Sequence, residues 1–441
     1  MAGRRSYDAR MHPPPAPALP AEWIDSRRAA GRLVVILLLM TLGSGGMYVV
    51  AVVLPQVQQE FGIGRGDASL PYTLLMIGFG VGGMVMGRLA DRVGLQRVLL
   101  LGALGVGSGF VLASMAQGVV AFSLVHGLLL GLVGSSTTFA PLLADTALWW
   151  RKYRGVAVAV CASGNYAAGT VWPQAMSWAM QEWGWRQAYV VLGLGAALLM
   201  ALLAWPLRRP APPATRTTAA AQPAGAPARE VGYLGPDARP FGMSPARAEK
   251  VLWLAGLSCC VAMAMPQVHI VAYCTDLGFG AARGADLLSL MLFTGIVSRL
   301  VFGMICDRIG GLRTLLLGSA TQALALVLFL PFQGPVSLTV VAGLFGLFQG
   351  GIVPSYAIVV REHFPTAQIG QRVGSVIMAT LFGMALGGWM SGQVFDLTGS
   401  YRAAFVNGLA WNVLNFGLAA WLLWRVSGRP AWWRFGSKWH A

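Results

Sequence analysis

The stretch TGIVSRLVFGMICDRIG, residues 294–310, places Arg299 inside a run that otherwise suits lipid. A guanidinium is a planar fork of donors that pairs bidentately with a carboxylate, so an arginine at that depth points to capture of an anion. A charge at the centre of a membrane helix costs on the order of 2.5–3.5 kcal/mol on insertion scales, and residues that carry one usually face a water-filled cavity. The other charges avoid the interior: Asp145, Asp276 and Asp286 fall near the ends of apolar runs, and Glu60 and Asp67 lie by a loop. Arg299 is seven residues from Cys306 near the inner boundary, about 10 Å of helix. A guanidinium snorkelling to the headgroups is therefore the alternative to an anion site.

Uncharged polar residues share these apolar surroundings: Tyr48, Asn165, Tyr166, Gln174, His269, Tyr273 and Gln349. Each can contact a solute or make an interhelical hydrogen bond. His126 and His269 are the histidines within apolar runs; imidazole titrates near neutrality, which makes His269 a candidate proton carrier, while His126 reads as a satisfied core residue. Cys161, Cys259, Cys260, Cys274 and Cys306 lie in or at the ends of apolar runs, without CxxC or metal-ligand spacing. There is no GxxxxGK[ST], HExxH or GxSxG motif. The residues therefore call for no enzyme chemistry, no metal and no cofactor, and any transport would draw on gradients.

The elements that must position these residues are membrane helices. Of the 441 residues, 56% are hydrophobic and 11% charged, against roughly 45–50% and about 25% in soluble domains. Apolar runs long enough to cross about 30 Å of hydrocarbon predict twelve helices, over 33–55, 70–90, 98–116, 119–146, 155–180, 187–206, 250–275, 284–305, 314–332, 335–360, 372–395 and 403–425. The expected organisation is a disordered cytoplasmic tail over 1–31, a six-helix bundle over 32–206, a Pro- and Ala-rich cytoplasmic linker over 207–249, a second six-helix bundle over 250–426, and a cytoplasmic tail over 427–441.

The net charge of +16 is a topology signal. With the N-terminus inside, 27 Lys and Arg fall in the tails and loops of one face, four (Arg65, Arg186, Arg283 and Arg402) on the other, and Arg299 within a helix. That bias predicts a multi-pass protein of the plasma (inner) membrane with both termini cytoplasmic, partnered by the lipid bilayer and not by nucleic acid. The chain also repeats itself: GRLADRVGLQRVLLLG from Gly87 returns as GMICDRIGGLRTLLLG from Gly303, and WRQAYVVLG from Trp185 as YRAAFVNGL from Tyr401, both offset by 216 residues. Glycines at small-xxx-small spacing (Gly78, Gly82, Gly83 and Gly87; Gly383, Gly387, Gly388 and Gly392) predict helices in close approach.

Gly87, Asp91, Arg92, Gly94 and Arg97 match the G-x-x-x-D-R-x-G-x-x-[RK] loop signature of the major facilitator superfamily, and Gly303, Asp307, Arg308, Gly310 and Arg313 match it again. The chain thus resembles that superfamily, which implies the major facilitator fold, an all-α membrane protein of twelve transmembrane helices in two six-helix bundles. The resemblance also implies that these ten residues form a latch closing the cytoplasmic gate. Within the superfamily, WWRKYRGVAVAVCASGNYAAG, GWRQAY, TDLGFG, SRLVFGMICDRIGG and FDLTGSYRAAF look like the monocarboxylate porter and oxalate/formate antiporter branch. That likeness implies carboxylate binding at Arg299, with Tyr48, Asn165, Tyr166, His269, Tyr273 and Gln349 on cavity-lining helices. Two departures stand out: Gly295 occupies the position four before Arg299, where the branch has an acid, and helices 1 and 11 hold no interior lysine.

The expectation is a secondary carrier of small organic anions, monocarboxylates foremost, cycling by alternating access with anion exchange or proton coupling. A multidrug or other solute carrier is the alternative, disfavoured because no carboxylate lies deep in a span to receive a cationic drug. A non-transporting anion receptor is a further one.

Overall fold

The computed structural model describes residues 23–209, 239–365 and 368–427. The first half holds α1 (Arg27–Gly43), α2 (Gly45–Phe61), the single turn α3 (Arg65–Ala68), α4 (Leu70–Val93) and α5 (Leu95–Ser114). After these come α6 (Val119–Val125), which continues as a π-helix (His126–Ser135), then α7 (Ala140–Trp149) and α8 (Arg154–Ala204). The second half holds α9 (Pro245–Asp276), α10 (Gly280–Ile309), α11 (Gly311–Leu328), α12 (Pro335–Gln349), α13 (Ile352–His363), α14 (Ile369–Thr398) and α15 (Tyr401–Ser427). Among the described residues, eleven helical runs are long and apolar enough to cross a membrane. One of them contains α8, whose 51 residues are interrupted at Gly184 (φ 75°, ψ 162°), a conformation that glycine tolerates and other residues do not.

The two loop signatures fold alike. Gly94 (φ 92°, ψ 152°) and Gly310 (φ 85°, ψ 165°) end α4 and α10, their N–H groups donating to Ala90 O at 3.0 Å and Cys306 O at 2.9 Å. We call the side bearing these turns the basic face and the other the opposite face.

Two helix starts differ clearly from the sequence expectation. Helix α1 begins at Arg27 within the expected tail, where Ser26 accepts the Ala29 N–H as its cap; residues 1–22 lie outside the described residues. Most of the expected linker, residues 210–238, also lies outside them, as do 428–441 of the C-terminal tail. Helix α9 starts at Pro245 instead of 250, because Phe241 and Met243 are buried against the second half and the Phe241 ring stacks on His363 at 4.5 Å.

The halves meet along two seams, α4 against α14 and the first part of α8 against α10. Glycines set the spacing. A Cβ on Gly388 would meet the Tyr72 ring at 3.0 Å, one on Gly80 would meet Met378 Sδ at 2.8 Å, and one on Gly169 would meet Leu292 at 2.5 Å. Other members of the expected glycine faces pack within a half: Gly78 against the Gly127 carbonyl, Gly383 and Gly387 against the Leu257 and Val261 carbonyls.

Candidate functional site

Arg299 lies on α10 at the α8 seam. Its Nη1 donates to the Ala162 carbonyl at 2.9 Å, and its guanidinium carbon sits 4.1 Å from the centroid of the Tyr166 ring. Both partners belong to the other half. No carboxylate pairs with Arg299, and its buried Nε has no hydrogen-bond partner among the described residues. Gly295, one turn away, makes room: a Cβ there would meet the Tyr166 ring at 2.5 Å. The aromatic ring thus occupies the space beside Arg299 that a side chain at 295 would need, and its π face supplies part of the attraction a carboxylate would.

Three further candidates join this cluster. The Tyr48 hydroxyl donates to Asn165 Oδ1 at 2.8 Å, and Asn165 Nδ2 reaches Ser44 Oγ at 3.3 Å and Met47 Sδ at 3.5 Å. Ser44 is the non-helical joint between α1 and α2, which frees it to face α8. Asn165 is the chain neighbour of Tyr166, whose ring carries the Arg299 guanidinium, so the Tyr48–Asn165 pair adjoins Arg299. Arg299, Tyr166, Asn165 and Tyr48 therefore form one polar group spanning α2, α8 and α10. An anion entering here would find a guanidinium, a phenol and an amide already oriented.

The remaining candidates are elsewhere. Gln349 is fully buried on α12 and accepts from Gln267 Nε2 at 2.9 Å. Tyr273 packs in an aromatic cluster with Tyr401 and Phe405, centroids 5.5 Å apart. Gln174, exposed, donates to Asp286 Oδ1 at 2.8 Å across the α8–α10 seam. His126 is buried between the Phe122 carbonyl at 2.8 Å and the Tyr189 hydroxyl at 3.3 Å.

His269 belongs to a cluster that sequence reasoning missed, closing the opposite face. The backbone N–H groups of Arg65 and Gly66 donate to Asp396 Oδ1 and Oδ2, both at 2.7 Å. The buried Arg65 guanidinium donates to Asp276 at 3.3 and 3.1 Å and to the Tyr401 hydroxyl at 2.8 Å, and lies 4.6 Å from the Phe395 ring centroid. His269 touches the Tyr401 hydroxyl at 3.1 Å and the Gly388 carbonyl at 2.8 Å. A cleft of about 330 Å³ on the opposite face reaches Arg65. The usable signal was position: Arg65 is one of four basic residues on a face that otherwise excludes them.

The repeat explains how this lock arose. Glu60 and Asp276 stand 216 residues apart, as do Trp185 and Tyr401. In the first half Trp185 Nε1 and Arg186 both donate to Glu60, at 2.6 Å, within one bundle. In the second, Asp276 and Tyr401 take Arg65 of the other half instead.

At the basic face, none of the signature charges Asp91, Arg92, Arg97, Asp307, Arg308 and Arg313 enters an ion pair among the described residues, and the two aspartates are exposed. The N-terminus of α11, which follows the second signature turn, is held by Glu362, whose carboxylate accepts the Gly311 N–H at 3.1 and 3.0 Å. A separate cleft of about 810 Å³ on this face is lined by Arg239, Arg247, Lys250 and Arg425.

Two repeated helical halves thus meet on two seams, one of them holding a guanidinium with no carboxylate partner among the described residues. The chain belongs to the Major Facilitator Superfamily, whose family model matches residues 36–343 and 275–432. It is similar to monocarboxylate transporter 13 of Rattus norvegicus, 29% identical over 323 residues that cover 72% of this chain and 71% of that protein. It is also similar to monocarboxylate transporter 4 of Gallus gallus, 25% identical over 362 residues covering 81% and 74%. Among solved structures, a peptide transporter POT in complex with sulfate superimposes with a TM-score of 0.67 at 15% identity, covering 89% of this chain and 95% of that one. The nucleoside transporter NupG does so with a TM-score of 0.63 at 15% identity, covering 89% and 99%. The protein is a multi-pass membrane transporter of this superfamily and not an enzyme.

Proposed function

We propose that the protein is a secondary carrier of small organic anions, with monocarboxylates as its main substrates. The observation that carries this reading is Arg299: a guanidinium within a membrane helix, seated over Tyr166, hydrogen-bonded to a backbone carbonyl and lacking any carboxylate partner among the described residues. The printed names of the relatives support the substrate class. Dividing α8 at Gly184 gives twelve spans in two bundles of six, since 51 residues extend about 75 Å, more than twice the hydrocarbon thickness. The basic face is cytoplasmic by its excess of Lys and Arg, in a plasma (inner) membrane with both termini inside.

On this reading the bundles rock around Arg299, and the conformation described is closed outward. Tyr166, Asn165 and Tyr48 assist in substrate binding, while the two loop signatures (Gly87, Asp91, Arg92, Gly94 and Arg97; Gly303, Asp307, Arg308, Gly310 and Arg313) close the cytoplasmic gate in the alternate state. A bound carboxylate neutralises Arg299 and lowers the penalty for enclosing it, which favours exchange of one anion for another. The test is uptake into proteoliposomes of labelled lactate, pyruvate, an aromatic monocarboxylate, oxalate, a sugar and an organic cation, with and without internal unlabelled solute. Saturable uptake confined to carboxylates, stimulated from inside and abolished by Arg299→Gln in a correctly inserted protein, is the expected result. Uptake by that variant at the wild-type rate overturns the assignment.

A further inference from the structure

His269 sits between two fixed groups, and their chemistry decides which protonation state it can hold. A carbonyl only accepts, so the contact with Gly388 O at 2.8 Å puts the proton of a neutral ring on Nε2. Nδ1 then carries a lone pair, and the Tyr401 hydroxyl at 3.1 Å donates to it. The same hydroxyl oxygen accepts from Arg65 Nη1 at 2.8 Å. The result is a one-way chain, Arg65 to Tyr401 to His269 to Gly388, in which each of the three linking protons has an acceptor. It joins α3 of the first half to α9, α14 and α15 of the second.

A second proton on His269 breaks this chain. Nδ1 would become a donor facing an oxygen that already accepts from Arg65, and the Tyr401 O–H would lose its acceptor. Two cations would then flank one phenol oxygen, about 6 Å apart at most by the two bond lengths. The charged and titratable groups around the ring are Arg65 on α3, Tyr72 on α4, Tyr273 and Asp276 on α9, Asp396 on α14, and Tyr401 and Arg402 on α15. Asp276 is paired with Arg65 and both Asp396 oxygens accept α3 backbone N–H groups, so neither carboxylate receives a hydrogen bond from a histidinium, although Asp396 keeps its negative charge nearby.

We infer that His269 is a proton-binding site that controls closure of the opposite face: the neutral ring completes the lock and the protonated ring cannot. By linkage, the proton binds the open state more tightly than the closed one, and acidification moves the population toward opening. This deepens the carrier reading, since it makes the outward gate proton-sensitive, yet it is tested without any solute. The five native cysteines are buried and free, so spin labels at Gln59→Cys and Leu397→Cys, both exposed positions, report the gap across the opposite face. With the full chain in lipid nanodiscs, the ratio of open to closed molecules should rise at least about tenfold between about pH 8 and about pH 5.

His269→Gln supplies the control, because a glutamine amide can donate to Gly388 O and accept from Tyr401 but does not titrate. It should stay closed at both pH values. A wild-type distance distribution that does not change with pH, or a shift that survives in His269→Gln, overturns the inference. Should the glutamine variant fail to close at about pH 8, Asp276→Asn decides instead: its pH response must persist because His269 is intact, and loss of the response would assign it to the carboxylate. Failure of anion uptake with the pH shift present would refute the substrate reading alone.

Discussion

Asp396→Asn should open the opposite face without touching any residue near Arg299. Both Asp396 oxygens accept backbone N–H groups at 2.7 Å, from Arg65 and Gly66. An asparagine keeps one acceptor and turns its NH₂ toward the second N–H, so one charge-assisted bond is lost. Shielded, such a bond contributes about 1.5–3 kcal/mol; Asp396 is solvent-exposed, and screening reduces the figure to about 1–1.5 kcal/mol. The contact joins residues of different halves, so the loss falls on the closed state alone and shifts the conformational equilibrium by about tenfold. Label distances across Gln59 and Leu397 read the population directly, and the apparent affinity for anion presented at the opposite face should improve in step. An unchanged distance distribution in a properly folded variant would show that the pair does not hold the gate.

Gly392→Ala should act in the same direction for a steric reason, since its Cβ would lie 2.7 Å from both the Arg65 carbonyl oxygen and Gly66 Cα; labels that still report full closure would contradict this. Asp145→Ala strands Arg32, held by bonds of 2.8 and 2.9 Å with the pair almost wholly buried, and should cost about 3 kcal/mol, visible as a lower thermal midpoint in detergent. Gly346→Val puts a side chain 2.0 Å from the Met291 carbonyl oxygen and 2.2 Å from Thr294 Oγ1; backbone cannot yield that far, so monodisperse protein should be lost on size exclusion.

The all-helical membrane pattern, the repeat and the two glycine turns were legible because length, hydropathy and the demand for positive φ at Gly94 and Gly310 are local properties, while the twelve expected spans stand as eleven helical runs among the described residues. The neighbourhood of Arg299 was partly legible: Tyr48, Asn165 and Tyr166 are polar residues within apolar runs, and they meet. That Tyr166 fills the space above Gly295 was not, because the absence of a side chain says nothing about which residue of another helix moves in. His269 was read as a possible solute contact, yet its partners come from residues 388 and 401. Pairings over such separations depend on how two bundles dock, and a single sequence carries no direct record of that. The same holds for Asp396, a loop carboxylate by pattern and a backbone clamp in the fold.

The loop signatures supply the converse test. In the conformation described, Asp91 and Asp307 are exposed and lack ion-pair partners among the described residues, so neutralising them should change its energy by no more than about 0.5 kcal/mol. If they latch the alternate state, Asp91→Asn weakens that state only, and the population moves further toward closure of the opposite face, against the direction of Asp396→Asn. Asp91 and Asp396 sit at opposite faces and share no partner, so their effects should add and the double variant should return near the wild-type distribution. A shift of Asp91→Asn toward an open opposite face would mean that the signature stabilises the present state through contacts other than ion pairs. The two ends of the seam would then not compete, and alternating access would need a different account of what holds each state.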